Sequence, residues 1–158
     1  MTKTAHYEDV GLRWSAAEIE GLVSAFESCT IPPEKWNHHA HLIVAMWYLL
    51  LSSEEEAIER MRNGLLRFLD AHGIQTTRER GYHETITKFW IHAVRRYLLS
   101  MRENCPIGVL VKGMLERLGD KNLPFAYYSR ERLLSWEARQ NWIEPDLKSL
   151  EEMDWGEI

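Results

Sequence analysis

The chain has 158 residues, 45% of them hydrophobic and 27% charged, with a formal net charge of −5. That length suits one domain around one core, and that hydrophobic content argues against disorder except at the ends. Lys and Arg are dispersed rather than clustered, which speaks against nucleic acid, because phosphate binding needs a concentrated basic face.

The first residues, Met1 to Glu8, lack the apolar segment of a signal peptide. The longest uncharged apolar run, 42–51, is roughly half of what a membrane span needs. Two cysteines, Cys29 and Cys105, form no Cys-x-x-Cys pair. The expectation is a cytoplasmic protein with no membrane partner, whose thiols are small core residues.

In chain order, Ser15-Ala16-Ala17-Glu18 reads as a capping box that opens a helix over 16–28. Ile31-Pro32-Pro33 ends it with a rigid corner. Asn37 caps a second helix over 38–51, and Ser53-Glu54-Glu55-Glu56 opens a third that stops at Gly73. Gln75 to Arg80 is polar, although Thr76-Thr77-Arg78-Glu79 could start the next helix early. A fourth helix contains 83–101, with Ile86, Phe89, Trp90, Ala93, Val94 and Tyr97 at helical spacing. Asn104-Cys105-Pro106 starts a fifth over 106–118, and a short helix follows near 129–138. No segment alternates with period two. The fold class is all-α, a single-domain bundle of five or more helices spanning 1–158, with 1–13 and 148–158 expected as mobile ends.

Three of seven histidines fall within Trp36-Asn37-His38-His39-Ala40-His41, at the mouth of the most apolar segment. His38 and His41 are three apart and share a helix face, which His39 leaves. A second cluster, Tyr82-His83-Glu84-Thr85-Ile86-Thr87, opens the fourth helix. In an up-down bundle the second and fourth helices are parallel, so both clusters should lie at one end. His38, His41 and His83 would then be ligands of a divalent metal, with Glu84 a further ligand or general base and Thr87 a supporting hydrogen-bond partner. Nitrogen and carboxylate donors suit zinc, iron, manganese or nickel. The order matches no standard zinc motif.

Two other readings use the same residues. In one, a binding module holds a small organic ligand among the histidines and the aromatics Tyr48, Trp90 and Tyr128. In the other, the histidines are structural parts of an interaction protein. His72 suits a helix C-terminus, and His92 lies on a different face from His83. Arg78-Glu79-Arg80 and Arg95-Arg96 could clamp an anion, or could simply be solvated surface. No phosphate loop, serine elbow or dithiol motif is present.

His38-x-x-His41-Leu42, Tyr82-His83-Glu84-Thr85-Ile86-Thr87-x-Phe89-Trp90 and Ala138-Arg139-x-x-Trp142-x-x-Pro145-Asp146-Leu147 resemble an uncharacterised family of small all-helical bacterial proteins with HxxHL and YHETIT motifs. The likeness covers roughly 30–150 and implies that these three segments act as one unit. It implies no reaction. It adds Arg139 to the substrate-pocket candidates, and draws attention to Trp142 and Asp146. The combined expectation is an enzyme acting on a small molecule with a divalent metal.

Overall fold

The computed structural model describes residues 14–154. Within them lie seven α-helices and no strand: α1 (Ala16–Glu27), α2 (His38–Leu51), α3 (Glu54–Ala71), α4 (Glu84–Ser100), α5 (Ile107–Leu118), α6 (Arg130–Leu133) and α7 (Trp136–Gln140). The all-α expectation holds. The region near 129–138 divides into two short helices, each opened by its own serine, Ser129 and Ser135. No helix among the described residues is long and apolar enough to cross a membrane.

Local chemistry starts the helices where the sequence marks them. Ser15, Asn37 and Ser53 each accept a hydrogen bond from the backbone N–H three residues on, which satisfies one of the donors a helix start leaves free. Pro106 opens α5 without a side-chain cap. Gln75 to Arg80 forms no helix. There Thr76 gives its hydroxyl oxygen to the N–H of Tyr82 (3.1 Å), and the Thr77 N–H donates to Arg80 O (2.9 Å), closing a loop. Gly81 sits at φ +98°, and a Cβ there would meet the Thr76 backbone at 2.6 Å. Only glycine fits that turn without strain.

α2 is the central helix and packs on α1, α3, α4 and α5. Five consecutive residues, Leu42 to Met46, are buried, as expected of a helix covered on every side. At its far end the Tyr48 hydroxyl donates to Glu27 (2.8 Å). The same carboxylate takes Arg60 (3.0 Å), whose guanidinium lies over the Tyr48 ring.

Ser149 and Glu152 cap each other's backbone around a single turn, Leu150–Glu152. Arg96 donates to the carbonyls of Glu151 and Met153, and Met153 is buried. The first thirteen residues lie outside the described residues. Cys29 and Cys105 are both free thiols.

α1 and α3 approach closely at Gly64. A Cβ there would lie 2.5 Å from the ring of Phe26, which is fully buried and stacked on Trp36 at 4.2 Å. Ala is the better helix former by roughly 1 kcal/mol, yet overpacking typically costs about 1–3 kcal/mol. Gly64→Ala is expected to be net destabilising, read as a lower urea midpoint at unchanged slope. An unchanged or higher midpoint would show that Phe26 has room to move.

Candidate functional site

A cavity of about 530 Å³ opens where α2, α3 and α4 meet the 74–82 loop and α7. Its walls are mostly apolar: Trp36, Ala45, Met61, Phe68, Trp90 and Ile91. Phe26 stacks behind Trp36, and Phe68 lies 6.0 Å from it, so the aromatic wall is braced from the core. The polar side chains on the lining are His41 and Thr87 from the helices, His83 at the start of α4, Glu79, Arg80 and Tyr82 from the loop, and Arg139 from α7.

The metal-site expectation is overturned. No group of three or more His, Cys, Asp or Glu that could hold a metal ion exists among the described residues. The hydrogen bonds explain why. His83 is the N-cap of α4: its Nδ1 accepts from the Ile86 N–H (3.1 Å), while its Nε2–H donates to Leu133 O (2.8 Å). Both ring nitrogens are used. His38 donates from Nε2 to Leu118 O (2.9 Å), packs on Trp90, and does not reach the lining. His41 does reach it and lies against Trp36 at 4.2 Å. It makes no hydrogen bond through its side chain among the described residues. Burial, then the nearby His38, pushes the His41 pKa down to about 3; burial is also the main cause lowering those of His38 and His83.

Glu84, expected as a ligand or general base, and Thr87, expected to support it, have other partners. Glu84 takes a two-pronged ion pair from Arg62, with Nη2 at 2.6 Å and Nε at 3.0 Å, and accepts the Tyr82 hydroxyl at 3.2 Å. This network holds α3 to the start of α4, and Glu84 is not on the cavity lining. Thr87 borders the cavity, but its hydroxyl proton goes back to His83 O (2.8 Å).

Of the four pocket aromatics and cations expected, Trp90 and Arg139 line the cavity. Tyr48 and Tyr128 do not. Tyr48 is held by Glu27 at the other end of α2. Tyr128 is fully buried, donates to Ile143 O (2.7 Å), and closes the C-terminal segment. Trp142 and Asp146 serve that segment too, through Glu144 Oε1 (3.1 Å) and the Ser129 N–H (2.7 Å). His39 is exposed. His72 caps the end of α3 against Phe68, and His92 faces Glu54 at 3.7 Å.

Arg139 is buried, with 8% of its surface exposed. Its Nη1 donates to the carbonyls of Gly81 (3.3 Å) and Tyr82 (3.2 Å), and its Nε has no hydrogen-bond partner among the described residues. Burial lowers its pKa, partly opposed by Glu79. The carboxylates that form ion pairs among the described residues are Glu27, Glu54 and Glu84, none with Arg139. Trp36 and Phe68 also line the cavity; neither is among the pocket residues that the sequence singles out, and periodicity does not place the 74–82 loop.

Two measurements check this geometry. Glu84→Ala is expected to lower stability by about 1–3 kcal/mol in denaturant unfolding, below the ~3–5 kcal/mol for a fully buried pair, because the Arg62 side chain is 34% exposed. A loss under about 0.5 kcal/mol would remove the pair from the account. The second concerns pH. A histidine whose folded pKa lies below its unfolded value of about 6.5 gives stability that is complete above that value and is lost as pH falls. Stability is therefore expected to decline from about pH 6.5 to 5. His41→Asn should flatten the slope by up to about 1.4 kcal/mol per pH unit, one proton's worth. Parallel slopes would mean that His41 titrates normally.

No protein-family model, curated protein or solved structure matches the chain, so the function of the cavity is argued from its own geometry.

Proposed function

We propose that the protein binds a small organic molecule with a flat or bulky apolar body in the cavity between α2, α3, α4 and the 74–82 loop. One observation carries this reading: a wide cavity with braced aromatic walls is lined by Arg139 and Trp36, each with a buried nitrogen, Nε and Nε1, that has no hydrogen-bond partner among the described residues. A cavity of about 530 Å³ lies within the roughly 300–1,000 Å³ range typical of small-molecule sites, which combine apolar walls with a few placed polar groups. Native interiors seldom leave such groups without partners, and a ligand would supply them.

The division of labour follows from chemistry. Trp36, Phe68 and Trp90 offer ring faces to an apolar body. His41, neutral through burial, offers one donor and one acceptor without adding charge. The loop closes the side of the cavity and is held by Arg139 at Gly81 and Tyr82.

The test is protein-observed NMR with a neutral probe, naphthalene-1-acetamide, followed through the indole N–H signals of Trp36 and Trp90. Saturable shifts of both signals are expected, together with their loss in Leu65→Trp, which fills the cavity from its half-buried rim. Binding that survives Leu65→Trp, or shifts confined to other tryptophans, would overturn the reading.

A further inference from the structure

We propose that the ligand is a small organic monoanion, a carboxylate on an apolar or aromatic body, whose charge is met by Arg139. The inference rests on the cavity being a binding site and names the class of molecule that it takes.

Arg139 combines three properties that rarely coincide. It is more than nine-tenths buried, it borders the cavity, and its guanidinium forms no ion pair among the described residues. A buried guanidinium is usually matched by a carboxylate, because an uncompensated buried charge is strongly destabilising. Arg62 in the same protein follows that rule through Glu84. Arg139 instead has two carbonyl contacts from a single nitrogen and an orphaned Nε. Holding the loop needs only a neutral donor; the charge itself is left without a partner. Glu79, at the mouth, is exposed, and its carboxylate takes the Thr77 hydroxyl at 3.4 Å, so it attracts Arg139 from a distance without pairing with it.

The remaining groups decide between one negative charge and two. His83 accepts a backbone N–H at Nδ1, which a protonated ring could not do, burial holds the His41 pKa well below its ordinary value, and the rim carries both Arg80 and Glu79. The cavity therefore has about one positive charge in excess. The N-terminus of α4, the usual place for a phosphate, is occupied by the His83 side chain at the Ile86 N–H. A planar carboxylate matches the fork of a guanidinium, and the aromatic walls take the rest of the molecule.

The experiment is calorimetric titration of naphthalene-1-acetate, naphthalene-1-acetamide and 1-naphthyl phosphate into the full chain and its Arg139→Gln variant. The acetate is expected to bind at least about tenfold more tightly than the amide, a difference of about 1.4 kcal/mol, and more tightly than the phosphate. In Arg139→Gln the acetate and amide should converge while the amide still binds. Equal affinity for acetate and amide in the native protein would overturn the anion assignment and leave the pocket reading standing. Failure of all three probes would overturn both. If Arg139→Gln does not fold, Arg80→Gln decides: a preference for acetate kept there supports Arg139, and its loss transfers the role to the rim and overturns the assignment.

Discussion

The site depends on one imidazole that uses both of its nitrogens. His83 caps α4 with the lone pair of Nδ1 and reaches Leu133 O with the proton of Nε2. These demands fix a single neutral tautomer, because the imidazolium would have no lone pair left for the cap. Aspartate or serine would cap as well, but neither carries a donor across to α6. Thr85 adds a second stitch: it donates to Asn141 O (2.7 Å) and accepts from the Ile143 N–H (3.2 Å). The start of α4 is thereby sewn to residues 133–143, which places Arg139 under the carbonyls of Gly81 and Tyr82. Cap, loop and cavity wall are one construction.

Two arginines mark the contrast between structure and site. Arg62 and Glu84 sit on adjacent helices, partly open to water, and satisfy each other. The pair is costly to break and neutral in its effect on the cavity. Arg139 is buried more deeply and has backbone carbonyls in place of a carboxylate. An apolar residue of similar size would be easier to bury there. Keeping a charge at that position sacrifices stability beside a cavity, the trade that binding sites commonly make.

How much of this was legible follows from how local each signal is. Ser15, Asn37 and Ser53 mark helix starts because a cap acts within three residues. The burial of α2 could be read from its uncharged run. The histidine constellation failed for a geometric reason: positions three apart on a helix differ by about 60° around its axis. That angle turns His38 toward Trp90 and Leu118, and His41 toward Trp36 and the cavity. His83 was recognised at a helix start but read as a ligand, although capping uses up its free lone pair. Tyr48 follows Ala45 on the same face, yet its partners Glu27 and Arg60 come from two other helices. Arg139 is nearly sixty residues from the loop that it holds, and no local pattern encodes that distance. Only the likeness of the tail motif singled it out.

The location of the cavity has a physical reason. α2 is covered on all sides, so no polar group could sit at its middle without a partner, and its polar residues are confined to its ends. At its N-terminal end the helix dipole disfavours imidazolium, and burial acts in the same direction on His41. The outcome is a hydrogen-bonding group that carries no charge. Shape is then set by Trp36, Phe68 and Trp90, hydrogen bonding by His41, and charge by Arg139. On the proposed reading, selection by charge would require neutral histidines: protonating His41 would add a second positive centre beside the single buried guanidinium of Arg139.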